Sequence, residues 1–303
     1  MTPKGAISRT LFRLLLAGVL IALLVRLGPK DRWVATGLVY YATPWVLIGA
    51  AFAGLALLGR LRWLWLPALL CVGLWLVQTS GPGGDPIQPG DLRVRIWNAW
   101  NPKTHLERVT RQILVDDPDL LFLTEATALG RWLTRAEAEA LPERKVLYAG
   151  GGFTLIASTD FEILRHELRW FSGRNRYVIF DLRHQGGEPF SVILLDLDSN
   201  PFRPKAPLLR HIADAAAAHP LPVRLVLGDF NLPSDSRWFE ELQPYRSAFR
   251  EKGRGLEVAW PAPIPILALD QVWGDPQVEF RHAEYGPANG SDHRKLDVLL
   301  RLP

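Results

Sequence analysis

Charged residues are absent from Trp33 to Gly59 and again from Trp63 to Gly84. Stretches of that length constrain the chain more than any other feature, because about 20 apolar residues suffice to cross a bilayer core. Two spanning helices are predicted, over about 33–59 and 63–80. Pro44 and Pro67 would break a helix in water, but neighbouring groups re-satisfy the freed backbone inside a membrane. A shorter apolar run, Leu14 to Val25, lies strictly between Arg13 and Arg26. If those arginines snorkel to the two interfaces, the run extends to about 11–27. No small-x-small cleavage site follows before Gly28-Pro29-Lys30, so a retained helix is expected rather than a cleaved signal peptide. Residues 1–80 therefore read as a three-helix transmembrane region, with a first segment that does not span as the alternative.

Charge divides at the same place. The first 80 residues carry eight Lys and Arg against Asp31 alone, and the other 27 basic and 30 acidic residues leave the rest at −3. The basic balance of the whole chain is thus a property of the membrane flanks and gives no electropositive surface for nucleic acid. With three spans, Lys4, Arg9, Arg13, Arg60 and Arg62 share one side, while Arg26, Lys30 and Arg32 face the other. Five against three puts the amino terminus inside and the chain beyond the last helix outside the cytoplasm. The expected location is the bacterial inner membrane with a periplasmic domain; a non-spanning first segment would reverse this. Trp33, Trp45, Trp63, Trp65 and Trp75 read as interfacial anchors. The lone Cys71 lies in an apolar stretch, which excludes an intrachain disulfide and a thiolate metal site.

Gly81-Pro82-Gly83-Gly84-Asp85-Pro86 opens a breaker-rich linker over 81–90, followed by a soluble domain over 91–303. Short Val-, Ile- and Leu-rich runs alternate there with amphipathic segments, an α/β pattern. Helices are expected over Leu106–Leu114, Leu129–Ala140, Lys205–Ala218 and Arg237–Leu242. Apolar alternation ends in a polar side chain five times: at Asn98, at Glu125, at Asp196 and Asp198, at Asp229 and Asn231, and, after Ile266 and Ala268, at Asp270. One such carboxylate is easily a cap or a solvated edge. Five strand ends of this kind point to a shared cation, since buried carboxylates are costly without one. Gly150-Gly151-Gly152 reads as a turn, because no Gly-Lys-Ser/Thr follows it.

Trp97-Asn98-Ala99-Trp100-Asn101, Leu121-Phe122-Leu123-Thr124-Glu125, Gly228-Asp229-Phe230-Asn231, Leu269-Asp270-Gln271-Val272 and Gly290-Ser291-Asp292-His293 occur in that order. Over residues 90–303 the chain resembles the endonuclease/exonuclease/phosphatase family, in a bacterial membrane-anchored branch. The resemblance implies a four-layer α/β/β/α sandwich with two mixed β-sheets and a divalent-metal-dependent phosphoesterase. It implies Glu125 as principal metal ligand, with Asn98 and Asp292 near the same cation and Asn98 also contacting the phosphate. It implies Asp229 as the residue that orients or deprotonates water, and Asn231 as an amide that contacts phosphate or positions Asp229. His293 is implied at the phosphate, with Asp270 holding its ring. An all-oxygen set suits Mg²⁺ or Mn²⁺. Asn101 and Trp100 read as packing or loop residues, and His105, His166, His184, His211, His219 and His282 have no motif around them.

One position departs from the family, which commonly has a histidine or tyrosine after the middle strand, where this chain has Asp196. An ionised aspartate repels phosphate. Asp196 is then protonated, or binds a second cation, or leaves the leaving group to Asn200 or Arg203; loss of activity, leaving a non-catalytic phosphate-binding protein, is the further alternative. The expected partners are the lipid bilayer and a phosphoester substrate, a phospholipid or lipid-linked phosphate, since tethering holds the site near the headgroups. A nuclease is the alternative, for which Arg174, Arg176, Arg203 and Lys205 would have to form a local basic groove.

Overall fold

The computed structural model describes residues 3–100, 106–115, 117–129, 132 and 143–303. The chain divides into two compact units, one of residues 1–79 with 200–204 and 235–238, the other of residues 80–199, 205–234 and 239–303.

The first unit is helical: α1 (Pro3–Leu27), α2 (Val34–Ala42), α3 (Trp45–Gly59) and, after a short 3₁₀ turn at Arg62–Leu64, α4 (Trp65–Thr79). Arg9–Leu27 and Arg62–Thr79 are each long and apolar enough to cross a membrane, whereas α2 and α3 qualify only as a pair bent by 68°. The straight span expected over 33–59 is therefore two helices. Pro44 explains the break: it excludes Thr43 from helical geometry (φ −128°, ψ 63°) and starts α3 itself. Pro67 lies in the first turn of α4, where its missing N–H costs little. Val19, Ile48, Phe52, Leu55, Leu64, Ala68 and Cys71 form the apolar centre. A Cβ at Gly49 would meet Ala68 O at 3.0 Å, so the glycine sets how closely α3 approaches α4.

Arg26 does not snorkel. It is buried, and its guanidinium donates to Thr43 O (2.5 Å), Tyr40 O (3.2 Å) and the Asp235 carboxylate (3.2 Å). Asp31 is buried too and accepts from Tyr41 Oη (3.1 Å) and Ser236 Oγ. Both charges thus have partners inside the unit, which is what burial demands of them.

The second unit is built from β1 (Leu92–Asn98), α5 (Leu106–Val115), β2 (Leu120–Thr124), β3 (Arg144–Gly150), β4 (Phe153–Ser158), β5 (Phe161–Phe171), β6 (Asn175–His184) and β7 (Phe190–Asp196). There follow α6 (Ala206–Ala218), β8 (Val223–Asp229), β9 (Arg246–Ser247), α7 (Ala248–Lys252), β10 (Gly253–Arg254), β11 (Asp270–Gly274), β12 (Glu279–Tyr285) and β13 (Leu296–Arg301). The helix expected over 106–114 is α5 and that over 205–218 is α6, whereas Arg237–Leu242 is 3₁₀. Most of the segment 129–140, with Asn101 and His105, lies outside the described residues.

The strands form two mixed sheets, ordered β10-β12-β13-β1-β2-β4-β3 and β5-β6-β7-β8-β11-β9. Each contains one central parallel pair, β1 with β2 and β7 with β8. Alternate residues of both sheets meet in one core, with Val94, Ile96, Phe122 and Leu155 from the first and Val178, Phe180, Val192 and Leu227 from the second. The other face of the first sheet packs Trp97, Leu121 and Leu123 with Val109 and Ile113 of α5. Period-two alternation thus buries both faces of the central strands, so the polar groups free of that packing gather at their ends.

The segment read as a linker is instead pinned along this unit. Gly81 N donates to Gly255 O (3.0 Å), Gly83 N to Gly253 O (2.8 Å) and Asp85 N to Arg281 O (2.6 Å), while Lys252 Nζ bonds the Asp85 carboxylate at 2.9 Å. Gly81 and Gly84 serve close approach, since a Cβ there would stand 2.1 Å from Gly253 O and 2.2 Å from His282 Nδ1, whereas Gly83 supplies a left-handed φ of +101°.

Candidate active site

Asp229 closes β8 and is buried, at 1% exposure. Gly228 before it has φ +132°, and a Cβ there would stand 2.1 Å from Leu195 O. Glycine therefore lets β8 lie directly on β7 where the two strands end. In register across the second sheet, Arg176 (β6) faces Asp196 (β7), Asp196 faces Asp229 (β8), and Asp229 faces Asp270 (β11). Residues paired in this way send their side chains to one face, so one row of the sheet carries a cation and three carboxylates. Asp270 opens β11 rather than ending the expected run through Ile266 and Ala268. Because β11 is antiparallel to β8, its first residue meets the last residue of β8.

The first sheet supplies the facing groups. Asn98 ends β1, and its Nδ2 donates to Glu125 Oε1 (3.1 Å) and Asp229 Oδ2 (2.9 Å), linking the two sheets. Glu125 directly follows β2 with φ +49°, and Ala126 N bonds Gly152 O at 2.9 Å. A side chain in that left-handed region is uncommon and requires the surrounding structure to hold it. Asn231, at φ +48°, donates its backbone N–H to Asp229 Oδ1 (2.8 Å) and its Nδ2 to Leu197 O (2.7 Å). Both asparagines therefore hold carboxylate or backbone groups, and Asn98 commits both its amide hydrogens to carboxylates.

The Ser-Asp-His segment is fixed to the end of β1. Ser291 Oγ donates to Asn98 O (2.7 Å) and accepts from His293 N (3.0 Å), and Trp97 Nε1 donates to His293 O (3.2 Å). His293 Nδ1 lies 2.6 Å from Asp270 Oδ2. Burial alone would lower the imidazole pKa; the Asp270 carboxylate outweighs it and holds it up at about 10. Burial and then the Asp270 charge push the Asp229 carboxyl above the usual carboxylate range. Two of the expected residues thus have environments suited to opposite tasks, a proton acceptor and a cation.

Glu125, Asp196 and Asp229 each place a carboxylate oxygen within 4.8 Å of the others, and Asp229, Asp270 and His293 form a second such group. Asp292 Oδ2 accepts from Trp260 Nε1 (3.2 Å), while its Oδ1 is buried with no hydrogen-bond partner and stands 3.9 Å from His293 Nε2. The all-oxygen group of Glu125, Asp196 and Asp229 fits a hard divalent cation, and Asp292 is not part of either group. The structure therefore adds Asp196 to the carboxylates around Glu125, and Asn98 enters as a donor between them.

Asp196 is compensated. Arg176 bonds its Oδ2 through Nε (3.0 Å) and through Nη2, opposing the burial that pushes the Asp196 carboxyl up to about 6. No local sequence motif identifies Arg176, because the match of β6 to β7 depends on a hairpin register twenty residues long. Of the residues named for a basic groove, Arg176 is paired with Asp196 and Lys205 is buried against Asp198 O. Asn200, which belongs to the first unit, accepts the Phe202 N–H in a turn (2.9 Å). The remaining described histidines are packed or paired, His166 on Tyr148, His184 on Phe161, His211 on Phe171, His219 with Asp181 and His282 with Glu284.

The endonuclease/exonuclease/phosphatase family model matches residues 96–293 of the 303, which span every group just described. Solved structures share the fold. A family protein from Bacteroides thetaiotaomicron is 15% identical, with a TM-score of 0.55 over 72% of this chain and 100% of its own. D. rerio TDP2 complexed with a single-strand DNA product is 16% identical, with a TM-score of 0.54 over 70% and 99%. Beta toxin from Staphylococcus aureus, with bound magnesium ions, is 14% identical, with a TM-score of 0.53 over 69% and 99%. No curated protein matches the chain by sequence. The chain belongs to the endonuclease/exonuclease/phosphatase family, and it is a metal-dependent hydrolase of phosphoester bonds.

Proposed function

We propose that this chain is a membrane-anchored phosphoesterase that uses Mg²⁺ or Mn²⁺ to hydrolyse a phosphodiester or phosphomonoester of a lipid or a lipid-linked phosphate. The observation that carries the substrate class is the junction at Thr79. A helix apolar enough to span ends there, and the next residue already belongs to the catalytic unit, whose first segment is hydrogen-bonded down to Asp85. The site is thus covalently tethered to a helix of membrane-spanning length, which would raise the effective concentration of a lipid substrate. The full reading has three spans, the bent pair α2 and α3 counting as one. The catalytic unit is then a four-layer sandwich outside the cytoplasm of a bacterial inner membrane.

Glu125, Asp196 and Asp229 would hold the cation, and a divalent ion bound there would offset charge on the phosphoryl oxygens. Asp229 orients the attacking water and takes its proton at the carboxylate that Asn98 and Asn231 hold in place. His293, charged through its bond to Asp270, donates from Nε2 to the phosphoryl group as negative charge builds. The buried row excludes bulk water, so both contributions act at low dielectric.

A nuclease is the second reading, favoured by the shared fold of a neighbour solved with a DNA product. Against it stands the net −3 of residues 81–303. The experiment is a turnover screen of detergent-purified full chain on mixed phospholipid micelles, bis-para-nitrophenyl phosphate and plasmid DNA, with Asp229→Ala as blank. Lipid turnover should follow surface concentration and vary little with salt. Preferential cutting of DNA, weakening steeply with salt, would replace this reading by the nuclease.

A further inference from the structure

We propose that Arg176 is a second phosphate-binding cation of the site, set opposite His293 across Asp229. The inference rests on the reading of this site as a phosphoesterase and names the residue that would hold the substrate's anion on its second side.

The row across the second sheet has a symmetry that the sequence motifs do not disclose. Asp229 stands in the middle. On one side Asp270 holds His293 through a 2.6 Å bond, and on the other Asp196 holds Arg176 through Nε at 3.0 Å and through Nη2. Each carboxylate next to Asp229 thus carries its own cation.

Arg176 is more than a counter-ion by its hydrogen bonds. Guanidinium has five N–H groups in a planar fork suited to oxyanions. Nε and Nη2 converge on one oxygen, Asp196 Oδ2, and Nη1 has no hydrogen-bond partner among the described residues. The side chain is 20% exposed, so it is not sealed in the core.

Its position is also fixed from behind. Cζ lies 5.3 Å from the Phe153 ring centroid and 5.4 Å from that of Trp170, which is itself 57% exposed. Two aromatic faces favour the cation and leave it few other rotamers. Gly152, at φ +88°, provides the room, since a Cβ there would stand 2.8 Å from Nη1. The same glycine's carbonyl accepts the N–H of Ala126, next to Glu125. The arginine and the candidate metal ligand are therefore positioned by one turn.

Electrostatics gives the reason for a cation here. Glu125, Asp196 and Asp229 bring three carboxylates together, and an approaching phosphate meets their combined field. A divalent ion offsets part of it. A fixed guanidinium bonded to the outer carboxylate offsets more and presents donors to a non-bridging oxygen.

The test is calorimetric titration of inorganic phosphate onto the full chain in detergent at saturating Mg²⁺, for wild type, Arg176→Met and the double variant Arg176→Met/Asp196→Asn. The double variant removes both charges, so it carries no buried unpaired carboxylate and keeps the test valid if the single variant folds poorly, provided that Mg²⁺ affinity, titrated in parallel because Asp196 is a candidate cation ligand, is retained. Loss of phosphate affinity by about ten-fold or more in the folded variants, with a matching rise in KM, is the expected result. Affinity within two-fold of wild type in either folded variant would overturn the role of Arg176 and leave the phosphoesterase reading standing. A wild-type chain that neither binds phosphate nor turns over a phosphoester would count against that reading itself.

Discussion

His293 Nδ1 and Asp270 Oδ2 lie 2.6 Å apart, and this bond joins the segment entering β13 of one sheet to the start of β11 in the other. It keeps the imidazole charged to about pH 10 despite burial. Asp270→Asn should return the His293 pKa toward the ordinary value of about 6.5 and lower kcat by about 10²- to 10⁴-fold. Histidine ring titration by NMR checks the first, and turnover at pH 8.5 checks the second. An unchanged titration would show that Asp270 does not hold the proton.

The same bond has a stability signature. The folded His293 pKa, about 10, exceeds the unfolded value, so its contribution is fully present below about pH 6.5 and is lost as pH rises through about 10. The melting temperature of wild type should fall over that window more steeply than that of His293→Gln. Thermal denaturation at intervals from pH 6 to 10.5 measures the difference.

Metal addition should act in the opposite direction along the pH axis. Burial and Asp270 raise the folded Asp229 pKa, so the protonated folded form is favoured and stability from this group declines as pH rises above the unfolded carboxylate value. A divalent cation needs the ionised form. Mg²⁺ should therefore raise the melting temperature more at pH 8 than at pH 5, and Glu125→Gln should reduce that gain at pH 8. Equal gains at the two pH values would contradict the assigned ligands.

Gly228→Ala should be disproportionately harmful for one methyl group. Its Cβ would stand 2.1 Å from Leu195 O at φ +132°, so β7 and β8 must separate where Asp196 and Asp229 lie. A loss of about 2–4 kcal/mol in urea denaturation is expected, together with loss of turnover even where the protein remains folded.

Much of the site was legible because strand alternation places a polar residue at the end of an apolar run. Asn98, Glu125, Asp229, Asp270 and His293 were all visible on that basis or by resemblance, and the structure brings them together. Arg176 was seen only as part of a surface groove, since its partner is chosen by the pairing of β6 with β7. Trp260, whose indole bonds Asp292, carries no local signal either. Glycine and proline misled in two places. Gly81 and Gly84 make close contacts within the catalytic unit instead of loosening a linker, and Pro44 divides an apolar run that composition alone reads as one span. Arg26 illustrates the same limit: its position between apolar residues suggested an interfacial cation, whereas tertiary partners bury it.

The central claim is hydrolysis of a membrane phosphoester at the row of Asp229. It is tested most directly by phosphate or headgroup release from Mg²⁺-containing proteoliposomes holding wild type, Asp229→Asn or His293→Ala. Wild type should give cation-dependent release that scales with lipid surface concentration and is abolished by a chelator, and both variants should be at least about 10²-fold slower. Wild-type rates in either variant would contradict it.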